Sequence, residues 1–312
     1  MHQSTILLAA ALTTASALTH AASAQTLAPD FAGDYSIVDL GNPTGVPSNL
    51  GGVEFLDDDT LLIGGAANGA AGSIYQIDVT RDATTSVITG FSGPATLYAT
   101  APNIDGGLSF GPGGVLFYTG YSQNQLGQIE PGSAAPDRVI DLSPLGVTSS
   151  VGALQFVPSG FAGAGQLKVA SYNASTWYTL DLAADGNGTY DVTNVSAPLN
   201  LSGGPEGIVY ISDDNDGFDA DSVLVSEYSG GSVGTYEIDA NGDPIVSTRR
   251  DFITGLTGAE GAVIDPVTGD FLFSTFGGGN RVVLVTGFTI PEPASAGLLL
   301  TAGGTLLLRR RR

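Results

Sequence analysis

Five repeats of similar length, built from short strands and turns, predict that this chain is an all-β protein of the β-propeller type. The repeats align on five glycines at nearly regular intervals, which are Gly52, Gly107, Gly152, Gly207 and Gly261. A period of roughly 50 residues, made of strands alone, is typical of a propeller in which each repeat forms one blade.

The apolar pattern within each repeat gives the second observation. The inner strands are nearly continuous apolar runs, such as FLFST at 271–275 and SVLVSE at 222–227. Strands of this kind are dry on both faces, as expected where each blade packs between two neighbours. The outer strand of each blade should be more polar, and four segments fit that place, at 84–92, 137–143, 190–196 and 247–255.

The last repeat shows most clearly how strands and turns alternate within a repeat. Its predicted strands are 261–264, 271–275 and 281–285. The turns between them are rich in Asp, Pro, Gly and Asn, which are residues that favour turns.

The last repeat lacks a fourth strand, and the start of the chain supplies it. The segment SIVDLGNPTGVPSNLGGVEF at 36–55 matches RVIDLSPLGVTSSVGALQF at 138–156, where an outer strand leads into the next inner strand. Residues 36–40 are therefore predicted to be the outer strand of the last blade. This pairing closes a ring of five blades and leaves no open sheet edge at the seam.

The segment at 1–24 is predicted to be a signal peptide. An apolar stretch at 6–18 ends at a small-residue cleavage pattern with Ala22 and Ala24. A membrane anchor is the alternative, but the stretch is short for a span and is broken by Thr and Ser. Both histidines, His2 and His20, lie in this segment, and the chain has no cysteine. The mature chain is thus predicted to lack the commonest general base and the commonest zinc ligands.

The predicted body, residues 25–289, is strongly acidic. It contains six of the ten Lys and Arg residues and 30 of the 31 Asp and Glu residues, a net charge near −24. This charge argues against nucleic acid and anionic lipid as partners. It also attracts divalent cations without specificity.

The tail at 290–312 has three parts in a fixed order. Pro291, Glu292 and Pro293 precede an apolar segment at 294–308, expected to be a hydrophobic tail helix. The arginine block that follows should stay cytoplasmic; it consists of Arg309, Arg310, Arg311 and Arg312. This tail resembles the PEP-CTERM sorting signal of exported bacterial proteins, and a plain C-terminal anchor is the alternative.

The resemblance of the tail implies a route and a set of partners. An exosortase, a membrane-embedded cysteine protease, would cleave near Pro291, Glu292 and Pro293. The protein would be tethered to the inner membrane before cleavage and reach the cell surface or the extracellular polymer matrix afterwards. The expected partners are therefore the exosortase and export machinery, and an extracellular polysaccharide or protein.

The body resembles propellers with NHL-like or gluconolactonase/regucalcin-like blades. The resemblance rests on PEG at 205–207, YEID at 236–239 and EGAVIDP at 260–266. Gluconolactonase-like enzymes hold a divalent metal in the central channel with a Glu near the start of an inner strand, a place that Glu206 and Glu260 occupy. The streptogramin lyase branch uses a histidine, which the mature chain lacks.

Two calcium sites are candidates. Asp105, Glu206 and Glu260 precede inner strands near the expected channel mouth, where Glu227 is expected to join them. The alternative is that these glutamates cap backbone N–H groups or remain solvated. The second candidate is the loop at 212–221, whose spacing departs from an EF-hand; its acids include Asp214, Asp216, Asp219 and Asp221. A solvated acidic hairpin is the alternative there.

Two functions remain open, and no catalytic residue can be assigned. The first is a non-enzymatic exported propeller that binds matrix components, and the ends of the chain and the missing His and Cys favour it. Trp177, Tyr172 and Tyr178 are candidates for stacking on a sugar, although aromatic residues in blade strands usually belong to the core. The alternative is a calcium-dependent hydrolase or lactonase with its site in the channel. Carboxylates that converge within about 5 Å would favour this second function.

Overall fold

Twenty-two strands form five antiparallel sheets in the computed structural model, which describes residues 25–290. The N-terminal region contributes β1 (Thr26–Leu27) and β2 (Ser36–Gly41). The five sheets are the five predicted blades. Three short 3₁₀ helices lie in the connections, at Pro112–Gly114, Ser143–Leu145 and Val246–Thr248.

The blades follow one another along the chain, and each begins with its innermost strand. Blade one consists of β3 (Val53–Phe55), β4 (Thr60–Gly65), β5 (Ser73–Arg81) and β6 (Ile88–Thr100). Blade two consists of β7 (Ile104–Phe110), β8 (Leu116–Gly120), β9 (Gln125–Ile129) and β10 (Arg138–Asp141). Blade three consists of β11 (Val151–Phe156), β12 (Leu167–Ser171), β13 (Thr176–Ala184), β14 (Tyr190–Val195) and the short β15 (Leu199–Asn200).

The last two blades use strands from both ends of the described chain. Blade four consists of β16 (Pro205–Ile211), β17 (Ser222–Glu227), β18 (Ser232–Glu237) and β19 (Arg250–Thr254). Blade five consists of β20 (Ala259–Ile264), β21 (Phe271–Thr275) and β22 (Val282–Thr286). Its outer strand is β2, and Ile37 pairs with Val285. The predicted closure by residues 36–40 is thus confirmed.

One pairing was not predicted. Strand β1 adds to the outer edge of blade four, where Leu27 pairs with Ile253. The chain then places Phe31 and Tyr35 between blades four and five, among the aromatic rings of Phe218, Phe252 and Phe288. The N-terminal segment therefore covers one blade and completes the next.

Five apolar clusters form the core, one at each interface between blades. Strand β21 illustrates the arrangement, because Phe271 and Phe273 pack toward blade four while Leu272 packs toward blade one. Burying both faces explains the continuous apolar runs of the inner strands. The outer strands β10 and β14 alternate half-buried and exposed residues, as predicted.

The five aligned glycines lie where the inner strands approach most closely. A Cβ on any of them would come within 3.0 Å of another blade, and at Gly261 it would meet the backbone of Gly52 and of Gly106. Glycine is required here because the strands leave no room for a side chain. Blades two and five, which are not neighbours in the ring, meet at this point. The expected open channel is therefore wrong at this level, where backbone closes the axis.

No helix among residues 25–290 is long and apolar enough to cross a membrane. The predicted signal peptide, with Ala22 and Ala24, lies outside the described residues. The predicted sorting tail, from Pro291 to the terminal arginines, lies outside them as well.

Candidate metal centre

Three acidic side chains occupy the same place on three inner strands. Asp105, Glu206 and Glu260 are each the second residue of their strands, β7, β16 and β20. In all three strands the register shifts at this point, between Ile104 and Leu108 in β7 and at the matching places in the other two. Such β-bulges redirect a side chain out of the regular alternation.

These three residues, the axial carboxylates, converge on the propeller axis. One carboxylate oxygen from each lies within 4.8 Å of the other two. All three are buried, with exposed fractions of 0% for Asp105, 3% for Glu206 and 1% for Glu260. The alternative of solvated glutamates at the rim is therefore wrong. Within residues 25–290 they form the one such group of three or more acidic residues.

Four of the six oxygens of the axial carboxylates have no hydrogen-bond partner in the folded chain. Both oxygens of Asp105 are buried with no partner, as are Oε2 of Glu206 and Oε1 of Glu260. Buried polar atoms in folded proteins are nearly always paired, because an unpaired one loses its interaction with water and gains nothing. An unpaired group of three carboxylates therefore points to a bound species.

Burial raises the pKa of all three groups. The pKa of Asp105 rises from 3.8 to about 7, against smaller opposing contributions from Glu260 and the Asn68 amide. The pKa of Glu206 lies well above its ordinary value because of burial first and the charge of Asp105 second. Burial and then the charge of Glu206 raise the pKa of Glu260. At neutral pH the site either holds protons or binds a cation.

No basic side chain of residues 25–290 is available to neutralise the site. This part of the chain contains six Lys and Arg residues and no histidine. Each of the six forms an ion pair elsewhere; they are Arg81, Arg138, Lys168, Arg249, Arg250 and Arg281. The counter-charge must therefore come from protons or from a cation that the chain does not supply.

The dimensions of the site suit calcium. Three oxygen atoms at most 4.8 Å apart surround a point that is at most about 2.8 Å from each of them. Calcium binds carboxylate oxygens at about 2.3–2.6 Å, a distance that this limit allows.

A polar neighbour of the axial carboxylates was missed at the sequence level. Asn68 lies beside Asp105, and its Oδ1 is buried without a partner. It is held there by a backbone hydrogen bond to Ile104 and a left-handed backbone, with φ of 62°. The Asn-Gly pair at 68–69 was a signal for a turn, but nothing in the sequence related that turn to blade two.

Glu227 does not join this group, and the expectation that it would is wrong. Its side chain is buried within blade four, where Ser232 and Tyr236 each donate to it at 2.7 Å. Arg249 donates to both of its oxygens. These partners satisfy the charge of Glu227 locally, so it stabilises the blade.

The acidic loop between β16 and β17 lies at the opposite end of the inner strands. Asp213, Asp214, Asp216 and Asp219 are exposed and Asp221 is half-buried. The buried residues of the loop hold the chain ends, since Asn215 Oδ1 accepts from the Thr289 N–H at 2.8 Å. Calcium binding by these aspartates stays a prediction.

The three aromatic residues considered for sugar stacking lie in different surroundings. Trp177 and Tyr178 are 1% exposed and belong to the core, as their strand position suggested. Tyr172 is half-buried and follows the end of β12, at the same end of the propeller as the axial carboxylates.

The comparisons with known proteins support the fold. No family model matches the chain, and no curated protein does. A solved structure of the carbohydrate-active enzyme family AA12 from Trichoderma reesei aligns with a TM-score of 0.51 at 10% identity, covering 86% of this chain and 98% of that one. This likeness confirms the propeller and, at such identity, carries no information on activity.

Two further structures align less closely. The PQQ domain of a pyranose dehydrogenase from Coprinopsis cinerea has a TM-score of 0.43 at 11% identity, covering 85% of this chain and 97% of that one. A streptogramin B lyase has a TM-score of 0.40 at 10% identity, with coverage of 81% and 97%. The assignment of function therefore depends on the residues of the site.

Proposed function

We propose that this protein binds calcium on the propeller axis, between Asp105, Glu206 and Glu260, and hydrolyses a lactone or ester there. The observation that carries the proposal is the convergence of three buried, unpaired carboxylates with no basic residue of the described chain beside them. Their separation meets the condition that favours a hydrolase over a binding protein without a reaction centre. Asn68 lies beside Asp105, and its Oδ1 is buried without a partner.

The cation and the residues of the chain would have different roles in the reaction. Bound calcium would supply a positive charge that polarises a carbonyl group and lowers the pKa of water. Asp105, Glu206 and Glu260 would hold the cation, and a carboxylate of this group would accept the proton that the attacking water releases. Reactants enter from the end where the inner strands begin, since the axis is closed just beyond.

A matrix-binding protein is the second candidate, and the two ends of the chain favour it. The sorting-signal resemblance implies a place outside the cytoplasmic membrane, where an extracellular polysaccharide or protein is the partner. In that function the same cation site binds a ligand without turnover. The AA12 structure is described as a carbohydrate-active enzyme, which is compatible with either function.

Metal analysis combined with a hydrolysis assay tests the proposal. The full-length protein is dialysed against calcium, analysed for bound metal, and assayed on simple lactones and aryl esters with calcium or EGTA. The proposal expects one calcium per chain and hydrolysis that EGTA abolishes. Glu206→Gln with Glu260→Gln should remove both, whereas the control Asp214→Asn with Asp216→Asn should remove neither.

The outcomes separate the candidates. If calcium binds at the axis and no substrate is hydrolysed, the result supports the matrix-binding protein over the hydrolase. A calcium count unchanged in the Glu206→Gln/Glu260→Gln variant would exclude the axial site and the hydrolase together.

Export is tested separately in the native host. The secreted protein should begin near Gln25 and end close to Pro291, Glu292 and Pro293. Mass spectrometry measures both ends. Extracellular protein that still carries Arg309, Arg310, Arg311 and Arg312 would contradict exosortase processing.

A further inference from the structure

Four of the five blades carry an aromatic residue directly after their second strand. These residues, here called the aromatic collar, are Tyr121, Tyr172, Tyr228 and Phe276. Each is half-buried. They occupy equivalent places on blades two to five, so the collar follows the ring of blades.

Backbone hydrogen bonds fix the collar in register with the inner strands. The Tyr121 N–H donates to Asn103 and the Tyr228 N–H donates to Gly204, at 2.9 Å in both cases. Each acceptor lies two residues before one of the axial carboxylates. Phe276 donates in the same way to Gly258, which is two residues before Glu260. The collar therefore surrounds the axis at the end where the carboxylates lie.

The collar rings form a continuous arc. Ring centroids are 6.0 Å apart for Tyr121 and Tyr172, 5.7 Å for Tyr172 and Tyr228, and 6.2 Å for Tyr228 and Phe276. The centre of a regular five-position ring with such sides is about 5 Å from each position, within the roughly 6 Å at which a cation interacts with an aromatic face. In such a ring, a group on the axis would lie within this distance of all four aromatic residues.

Blade one leaves a gap in the arc. Ala66 follows β4 directly, and Ala67 makes the matching backbone hydrogen bond, its N–H donating to Asn49 at 2.9 Å. Alanine fills little of the space that a tyrosine would occupy.

The electrostatics of this end disfavour anionic ligands. All six Lys and Arg residues of the described chain are committed to ion pairs, and none belongs to the collar. The axial carboxylates lie beneath the collar, and their charges add to burial in raising the pKa of Tyr228. An aromatic-lined end on a body of net charge near −24 attracts cations and disfavours carboxylates, phosphates and sulfates.

We propose that the aromatic collar binds an organic ammonium group, whose cationic head lies on the axis between Tyr121, Tyr172, Tyr228 and Phe276. The proposal goes beyond the calcium-dependent hydrolase, because it uses different residues and requires no metal. A trimethylammonium head has the size and charge for this place. Tetrahedral ammonium heads on a matrix component or a small metabolite share this chemistry.

Choline and its neutral isostere 3,3-dimethyl-1-butanol test the proposal, because they share a shape and differ in charge. Binding is measured by ligand-observed NMR and calorimetry on the full-length protein in EGTA. We expect choline to bind at least about tenfold more tightly than the alcohol. Tyr172→Leu with Tyr228→Leu should weaken choline binding at least about tenfold, while Phe at both positions should keep it within about threefold.

The control is Tyr190→Leu, which removes a half-buried tyrosine from an outer strand far from the axis and should leave choline binding unchanged. Circular dichroism confirms that each variant folds. Equal affinity for choline and the alcohol would overturn the proposal, and so would full choline binding in the Tyr172→Leu/Tyr228→Leu variant. If choline still binds but calcium does not, the collar proposal stands and only the proposed metal site is excluded.

Discussion

Two of the places where the molecule buries charged side chains differ in how those charges are balanced. At the interface of blades three and four, the fully buried Lys168 Nζ donates to four oxygens at 2.7–2.9 Å, one of them Asp243 Oδ1 at 2.7 Å. Trp177 Nε1 also donates to Asp243, at 2.8 Å. On the axis, Asp105, Glu206 and Glu260 are as deeply buried and have carboxylate oxygens with no partner.

The difference separates a structural site from a site with a ligand. At Lys168 every donor has an acceptor, so the pair fixes how two blades pack and needs nothing further. The axial carboxylates repel one another and have lost their water, so ionising them costs free energy until a cation binds. Substitutions should therefore change stability with opposite signs at the two places.

The largest expected effect comes from breaking the buried ion pair between Lys168 and Asp243. Asp243→Ala leaves the Lys168 ammonium buried without its counter-charge and should lower the free energy of unfolding by about 3–5 kcal/mol. Denaturant titration measures the loss. The control is Asp251→Ala, at an exposed partner of Arg249, which should cost less than about 1 kcal/mol. Equal losses in the two variants would remove the distinction between buried and exposed pairs.

The second effect is a pH dependence to which the axial site contributes, together with Glu54, whose pKa burial raises to about 7. In EGTA, the folded protein holds protons that the unfolded chain releases near pH 4, because the pKa of Asp105 rises from 3.8 to about 7. The stability that protonated Asp105 contributes is therefore fully present below pH 4 and is lost as the pH rises through 7. We expect a fall of roughly 3 kcal/mol between pH 5 and pH 8.

Denaturant titrations across this range measure the fall. The Glu206→Gln/Glu260→Gln variant should show a flatter curve, because it removes two carboxyl groups whose pKa values lie well above the ordinary value in the folded protein. Stability that rises from pH 5 to pH 8 in EGTA would contradict the assignment.

A smaller effect with the opposite sign is expected from one substitution on the axis. Glu260→Gln keeps the size of the side chain and removes one of three repelling charges. At pH 8 in EGTA it should raise the free energy of unfolding by about 1–2 kcal/mol. A loss of stability instead would mean that the glutamate is already satisfied in the folded protein.

The architecture was accessible from the sequence because it repeats. Five aligned glycines indicated the number of blades, and the match between residues 36–55 and 138–156 indicated the closure. The same alignment placed Asp105, Glu206 and Glu260 at the starts of inner strands. Apolar patterns and glycine positions are local, so they survive in a single sequence.

The rest depended on contacts between distant residues. Lys168 forms an ion pair with Asp243, which lies 75 residues further along the chain. Glu227 forms one with Arg249 and does not join the axial carboxylates. The bulges that aim the acids at one another leave no pattern of residue types that periodicity detects. The collar did leave a signal, a repeated aromatic residue just after the second strand, which becomes visible once the blades are aligned on that position.

Calcium titration by calorimetry in two buffers of different ionisation enthalpy tests the central claim most directly, because it counts protons released on binding. Carboxylates with raised pKa values hold protons at pH 6.5 and must release them to bind calcium. The account predicts binding with release of about one to two protons, lost in the Glu206→Gln/Glu260→Gln variant. Binding without proton release, or equal binding by that variant, would contradict it.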